Sequence, residues 1–324
     1  MDKQIKVSYY TAYKVGGLLY TPASDKAIAK KLINKEYDCL TSVALCLEDS
    51  IDDKALPMAE QQLKQTLTQL LNCNTSLPLV FVRVRDCDHF KRIHDLLKEE
   101  EAVIDGYIFP KFDLTNSSTY CKSILDYNQK RQKPLYLMPI LESKSIADTG
   151  NRVNTLREIK RQLDDIKQYV LNIRVGGNDF SNIYGLRRSE TQTIYDIGVI
   201  RDILVDIINV FSSDYVISGP VWEYFDDRRS DLWKDGLKRE LELDLLNGFF
   251  GKTAIHPSQL PIIYESLKVS RRDYEDAVQI LNWHDHELAV FKGANGDRMN
   301  EVKCHTRWAN QIVVRAKIYG IKQD

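Results

Sequence analysis

The chain has 324 residues, 43% of them hydrophobic and 28% charged, and 45 Lys and Arg against 46 Asp and Glu give a net charge of −1. This balance argues against nucleic-acid and anionic-membrane partners, which favour proteins with a basic surplus. The chain has no apolar run of roughly 18 residues, no signal-peptide core and no Cys-x-x-Cys pair among its scattered cysteines, so we expect a reduced, cytoplasmic protein.

Short apolar runs recur along the chain, and a segment with helical periodicity follows each of them. The runs predict strands at Gly17–Tyr20, Ser42–Leu47, Leu79–Val84, Gly106–Phe109, Leu135–Leu141, Val170–Val175, Tyr215–Ile217 and Thr253–Ile255. The intervening patterns predict helices at Asp25–Ile33, with Ser24 as its N-cap, and at Ala59–Leu71, Phe90–Leu97 and Thr193–Ser212.

This alternation predicts an α/β fold, a (β/α)₈ TIM barrel over residues 1–265, since such barrels need about 250 residues. A doubly wound open sheet is the alternative, but it needs fewer strands. Residues 266–324 contain no further strand–helix unit and predict a C-terminal helical extension. Its helices are expected at Arg271–Leu288 and Cys304–Tyr319, joined by a turn at Lys292–Asp297.

Two predicted strands end in carboxylates, Glu142 after Leu135–Leu141 and Asp179 after Val170–Val175. The carboxyl ends of barrel strands meet at one face, where such enzymes have their active sites. Two carboxylates there could hold Mg²⁺, which takes few protein ligands and completes its shell with water and substrate. Alternatively, each carboxylate caps the helix that follows it. Gly176 and Gly177 remove side chains where a ligand could approach the backbone.

Other strand ends supply Lys111, His256, the acidic pair Glu48 and Asp49, and two arginines, Arg83 and Arg85. Because side chains alternate along a strand, only one of the arginines can face the barrel interior, where it could grip a substrate carboxylate. The other is expected in a surface salt bridge. The acidic pair could orient an arginine or a metal-bound water, or cap residues 51–54.

Several segments together resemble the family of the citrate lyase β subunit, which includes malyl-CoA lyases within the wider HpcH/HpaI aldolase superfamily. The matching segments run in order through nearly the whole chain: Leu18–Pro22, Leu47–Ser50, Val82–Val84, Pro110–Lys111, Ile140–Glu142, Gly176–Asp179, Gly251–Gln259 and Gly296–Met299. The most specific of them is Gly251–Gln259, which is similar to a Gly-Lys-x-x-Ile-His-Pro-x-Gln motif.

The resemblance implies a TIM barrel with a C-terminal extension, a homo-oligomer (trimer or hexamer) and Mg²⁺-dependent cleavage or formation of a C–C bond. The substrate would be a small oxo or hydroxy acid or its acyl thioester. The resemblance also implies roles for individual residues. It places the metal ligands at Glu142 and Asp179, substrate binding at Arg83, Gly177 and Asn178, and catalytic carboxylates at Glu48 and Glu301.

The chain departs from the family pattern at three places. Gly16 stands where an arginine often begins the first strand, and residues 54–58 lack the arginine of a Lys-x-x-Ala-Arg segment. Two positive charges near an acyl thioester are thus absent. Glu301 replaces an aspartate that the family often supplies to a neighbouring subunit. These departures keep two alternatives open, an acyl-CoA thioesterase using the same site and a non-catalytic binding or scaffold relative.

Overall fold

A seven-stranded parallel sheet forms the centre of the first of two compact units, which cover residues 1–263 and 264–324. The computed structural model describes residues 3–129, 131–226, 230–284 and 288–323. The strands are Gly17–Pro22 (β1), Ser42–Cys46 (β2), Leu79–Arg83 (β3), Gly106–Phe109 (β4), Tyr136–Leu141 (β5), Arg174–Val175 (β6) and Lys252–Ala254 (β7).

The strand order is β6-β5-β4-β3-β2-β1-β7, so each of β1 to β5 pairs with the next strand along the chain, and β7 pairs with β1. This circular order is that of a TIM barrel and rules out the doubly wound alternative, in which the order reverses. The predicted α/β barrel fold is confirmed.

The strand predicted at Tyr215–Ile217 is wrong as a regular strand, although the segment does lie in the ring. Ile217 bridges to Ile173, beside β6, and Gly219 bridges to Lys252 on β7. The ladder stops there because Pro220 follows, and proline has no N–H to donate. The ring of strands therefore continues from β6 to β7 through isolated bridges.

The first helix of this unit precedes β1, and the others follow strands along the chain. The helices are Lys3–Lys14 (α1), Ile28–Ile33 (α2), Leu56–Leu71 (α3), Cys87–Leu96 (α4), Ser117–Asn128 (α5), Lys144–Ala147 (α6), Arg152–Asp164 (α7), Gly177–Ile183 (α8), Gly198–Phe211 (α9) and Leu232–Leu246 (α10), with Leu260–Leu267 (α11) at the unit boundary. The predicted N-cap Ser24 is wrong, since α2 begins after Ala27.

The apolar core lies between the strands and these helices. Val43 and Leu45 on β2 are fully buried, and so are Leu63 and Leu67 on the facing side of α3. Strands that are apolar on both faces are typical of a parallel sheet covered by helices. No helix in the described ranges is long and apolar enough to cross a membrane.

The second unit contains helices Arg271–Leu281 (α12) and Val302–Tyr319 (α13), which pack around Ala277, Ile280 and Ala309. The first helix is shorter than predicted, and residues 285–287 of the predicted range lie outside the described residues. Between the helices, Val290–Lys292 (β8) and Met299–Glu301 (β9) form an antiparallel hairpin that the sequence did not predict. The predicted turn lies between these strands.

Candidate active site

A cavity of about 440 Å³ lies at the carboxyl ends of the parallel strands, where barrel enzymes have their active sites. Charged residues from three different strand ends line it: Arg83, Glu142 and Asp179. A second cavity of the same volume is lined by residues of α7 and α9 and contains no strand-end residue. The first cavity is therefore the candidate active site.

Glu142 directly follows β5 and is buried, with 4% of its surface exposed. Its Oε1 accepts a hydrogen bond of 2.8 Å from the backbone N–H of Lys111. Lys111 has a positive φ of 49°, a conformation that a non-glycine residue adopts at a cost. The backbone after β4 is therefore held in a strained form that directs an N–H at this carboxylate. A helix cap would accept a hydrogen bond from the helix that follows it. Glu142 instead accepts one from the loop after β4, so the described bonds do not make it a helix cap.

The second oxygen of Glu142 lies directly against Gly176. A Cβ built on Gly176 would be 2.1 Å from Oε2, closer than any side chain could tolerate. No hydrogen bond to Oε2 occurs within the described part of the chain. Glycine at this position therefore makes room for the carboxylate and leaves one of its oxygens without a donor.

Asp179 lies in the first turn of α8 and is half-buried at the cavity wall. In the ranges that the structure describes, its carboxylate has neither a hydrogen bond nor an ion pair. Burial and the nearby charge of Asp179 raise the pKa of Glu142 to about 8, against the opposing effect of Arg83. Two crowded carboxylates with unused oxygens face the cavity, which is the electrostatic condition under which a cation binds.

Arg83, at the end of β3, is buried and faces the cavity. Its Nη2 lies 2.8 Å from Glu48, 3.1 Å from Asp49 and 3.9 Å from Glu142. Its Nη1 has only a distant contact, 3.9 Å from Cys46 Sγ, within the described residues. The guanidinium is thus held by carboxylates on one side and retains donors on the other.

Glu48 is buried behind Arg83 and does not line the cavity, whereas Asp49 does. Burial and a hydrogen bond to Asp49 raise the pKa of Glu48, against the effect of Arg83. Burial raises the pKa of Asp49, but the hydrogen bond to Glu48 and the charge of Arg83 outweigh it and lower that pKa. Of this pair, Glu48 is the one that more readily holds a proton. Lys111 Nζ, 3.2 Å away, is its second cationic partner.

Two other strand-end residues, Arg85 and His256, do not line the cavity. Arg85 pairs with Asp53 and donates to the Leu47 carbonyl at 2.7 Å. His256 begins a short 3₁₀ helix, where its Nδ1 lies 2.8 Å from Ser258 Oγ and its ring stacks on Phe225. Both side chains have structural partners.

The remaining predicted residues divide between the two units. Gly177 and Asn178 line the cavity. A Cβ on Gly177 would lie 2.7 Å from Pro220, so packing accounts for glycine there. Glu301 belongs to the second unit, at the end of β9, where its carboxylate accepts a hydrogen bond of 3.0 Å from Cys304 Sγ. Its predicted catalytic role stays a prediction.

The sequence reasoning missed Arg174, Tyr20 and Thr253, which also line the cavity. Arg174 had a visible signal, because a charge inside the apolar run Val170–Val175 breaks the pattern of a buried strand. Tyr20 and Thr253 had none, since such residues are common in strands.

The carboxylates alone do not complete a metal site. Across the described ranges, no group of three or more His, Cys, Asp or Glu side chains is arranged to hold an ion. Zinc sites, which take three or four protein ligands, do not fit this donor set. A hard divalent cation that takes two carboxylates and fills its shell with water and ligand oxygens does fit.

The family model of C–C bond lyases of the TIM-barrel fold matches residues 9–321 of the chain. No protein with a curated description matches at a significant level.

Three solved structures are similar over most of this chain. A citrate lyase from Burkholderia xenovorans LB400 is 13% identical with a TM-score of 0.68, covering 95% of this chain and 93% of its own. CitE from Mycobacterium tuberculosis, in complex with magnesium, acetoacetate and coenzyme A, is 18% identical with a TM-score of 0.60. The match covers 93% of this chain and 98% of the CitE chain. A citrate lyase β subunit from M. tuberculosis, with oxaloacetate and magnesium, is 19% identical with a TM-score of 0.52. The match covers 78% of this chain and 98% of the β subunit. At these identities the likeness shows a shared fold.

Proposed function

The chain belongs to the family of carbon–carbon bond lyases of the TIM-barrel fold, and from this premise we propose a Mg²⁺-dependent lyase of the citrate lyase β-subunit type. It would cleave or form a C–C bond of a small oxo or hydroxy acid, or of the acyl thioester of such an acid. The observation that carries the proposal is the pair Glu142 and Asp179, whose unused oxygens face a cavity at the carboxyl ends of neighbouring strands.

Glu142 and Asp179 would hold the Mg²⁺. The fit rests on three features: carboxylate ligands, the absence of a donor to Glu142 Oε2, and the space that Gly176 leaves beside that oxygen. The solved structures of CitE and the citrate lyase β subunit contain magnesium, which supports the same choice of ion. When bound, the ion supplies positive charge that stabilises an oxyanion developing on the substrate.

The neighbouring side chains would bind and orient the acid. Arg83 is fixed through Nη2 by Glu48 and Asp49, and it retains N–H donors for a substrate carboxylate. A guanidinium suits this task because its planar donors match a carboxylate. Glu48, which the resemblance predicts to be catalytic, is proposed instead as a positioning residue for Arg83, because it does not line the cavity. Backbone and side-chain groups of Gly177 and Asn178 would contact the bound acid at the cavity wall.

C–C cleavage also requires a group that gives or takes a proton at the carbon. The resemblance implies that Glu301 stands at the position of such a group, and we infer that it acts from a neighbouring subunit of a trimer or hexamer. The cytoplasmic location belongs to the same proposal. We propose a hydroxy or oxo acid as the small-molecule partner, and we propose no nucleic-acid or membrane partner.

The experiment is an assay of the Mg²⁺-loaded protein on a panel of oxo acids, hydroxy acids and 3-hydroxyacyl-CoA thioesters, with both C–C cleavage products and free CoA quantified. We expect cleavage that requires Mg²⁺ and is lost in Glu142→Gln and Asp179→Asn. Free CoA without C–C cleavage would replace the lyase by the thioesterase alternative. Binding of an acid without any turnover would favour the non-catalytic relative.

A further inference from the structure

Arg174 on β6 is a buried arginine that faces the cavity, with 2% of its surface exposed. Its Nη2 donates a 2.6 Å hydrogen bond to Thr253 Oγ1. Its Nη1 lies 3.4 Å from both Asn172 Oδ1 and Ser218 Oγ, and Nε has no partner in the described part of the chain. All of these contacts are with neutral oxygens.

Every other described arginine that is buried contacts a carboxylate. The pairs are Arg83 with Glu48 at 2.8 Å, Arg152 with Asp206 at 3.0 Å and Arg188 with Glu240 at 3.4 Å. Within the described ranges, Arg174 has no such partner. Its surroundings therefore supply dipoles but no negative charge.

A buried charge without a counter-ion is costly, and proteins retain one where a partner or ligand compensates it. Because Arg174 faces the cavity, a ligand can bring the missing negative charge to it. Lysine would be easier to neutralise by losing its proton, whereas arginine stays charged. The position therefore holds a permanent cation beside bound substrate.

We propose that Arg174 binds a second anionic group of the substrate, so that the site takes a small acid with two carboxylates. This inference rests on the proposed function, in which the other end of the acid lies at Glu142, Asp179 and Arg83. Thr253, already bonded to the guanidinium, fixes its orientation.

The two guanidiniums are close enough to serve one short molecule. The ring of Tyr20 lies 5.6 Å from the Arg83 guanidinium carbon and 6.0 Å from that of Arg174. The two cations are therefore no further apart than the sum of these distances. A short diacid would contact one at each end, whereas a monocarboxylic acid of the same length would leave Arg174 without a counter-ion.

The test compares acids that differ only at the far end, by titration calorimetry with Mg²⁺ present. The pairs are malate with 2-hydroxybutyrate and 2-oxoglutarate with 2-oxopentanoate. The wild-type protein is expected to bind each diacid roughly tenfold to a hundredfold more tightly, as for a hydrogen bond to a charged group. Arg174→Met should remove this preference without weakening the monoacids, and Arg174→Lys should keep part of it.

Arg152→Met, which removes a buried arginine away from the cavity, is the matched control and should keep the full preference. Equal affinity of the wild-type protein for both acids of a pair would overturn the inference. An equal loss of affinity for both acids of a pair in Arg174→Met would also overturn it. So would the finding that Arg174 is needed to bind free coenzyme A and not to bind diacids. If no acid shows Mg²⁺-dependent binding to the wild-type protein, the proposed function itself fails, and the inference with it.

Discussion

Two clusters of charged side chains lie in the first unit, and they differ in how their carboxylate oxygens are used. In the sealed cluster, Lys252 Nζ lies 2.9 Å from Glu240 and 2.7 Å from Asp244. The remaining oxygens accept hydrogen bonds of 2.7 Å from Ile194 N–H and Tyr195 O–H. Each carboxylate oxygen there has a donor.

In the cavity cluster, formed by Glu48, Arg83, Glu142 and Asp179, two of the three carboxylates have oxygens without donors in the described part of the chain. Both clusters would cost free energy if they were left uncompensated. The sealed cluster is compensated within the chain and stabilises the fold. The cavity cluster has oxygens that the proposed ligand would compensate, and this is the difference expected between a structural network and a binding site.

The largest expected effect concerns the sealed cluster. Lys252→Met leaves Asp244 buried without a cation and leaves Glu240 with only Arg188, 3.4 Å away, and should lower the free energy of unfolding by about 3–5 kcal/mol. Urea denaturation measures this, with the exposed Lys238→Met on α10 as control. A loss no larger than that of the control would remove the distinction between the clusters.

Gly176→Ala should have the next largest effect, because its Cβ would lie 2.1 Å from Glu142 Oε2. Overpacking of this kind costs about 1–3 kcal/mol, and moving the carboxylate should also weaken Mg²⁺ binding. Denaturation and calorimetry measure the two effects. Gly198→Ala is the control, since its nearest neighbour atom is 4.0 Å away. Unchanged Mg²⁺ affinity in Gly176→Ala would show that Glu142 does not need that space.

The pH dependence of stability should separate the clusters. Burial raises the pKa of Asp244 to about 6 and that of Glu142 to about 8, above their ordinary values of 3.8 and 4.5. The folded state therefore holds these protons more tightly than the unfolded state, and unfolding free energy falls as pH rises through each folded pKa.

Saturating Mg²⁺ should abolish the fall in unfolding free energy that Glu142 causes up to about pH 8. It should leave the fall that Asp244 causes up to about pH 6, because the cation compensates the ionised Glu142 and does not contact Asp244. Denaturation curves across this pH range with and without Mg²⁺ test the point. Identical curves in the two conditions would mean that Glu142 is not a ligand.

Mutating a paired surface charge should have the smallest effect. Arg85 pairs with the exposed Asp53 outside the cavity, so Asp53→Asn should change stability by about 0–1 kcal/mol and leave Mg²⁺ affinity unchanged. Calorimetry and denaturation together check this. A clear loss of Mg²⁺ affinity would extend the site beyond the cavity cluster.

The barrel and the cavity's first carboxylate could be predicted because they depend on local patterns. An apolar run that ends in Glu142 predicts a buried strand with a charge at the sheet edge. The apolar run Tyr215–Ile217 could not show that this segment forms no regular strand. Its ladder is cut short by Pro220, which lies beyond the run. The hairpin of β8 and β9 is too short, at three residues a strand, to show a period of two.

The pairing of charges could not be predicted, because it depends on long-range contacts. Nothing in the sequence distinguishes Lys252, which has two carboxylate partners, from Arg174, which has none in the described part of the chain. Both are cations in apolar strands. Only the fold determines which of them faces a carboxylate and which faces an open cavity.

The most direct test of the account is Mg²⁺ titration calorimetry on the wild-type protein, Glu142→Gln and Asp179→Asn, with Glu158→Gln on α7 as the control. We expect saturable Mg²⁺ binding in the wild-type protein and in Glu158→Gln, and no binding in Glu142→Gln and Asp179→Asn, with all four proteins folded by circular dichroism. Mg²⁺ binding of wild-type affinity in Glu142→Gln and Asp179→Asn would contradict it.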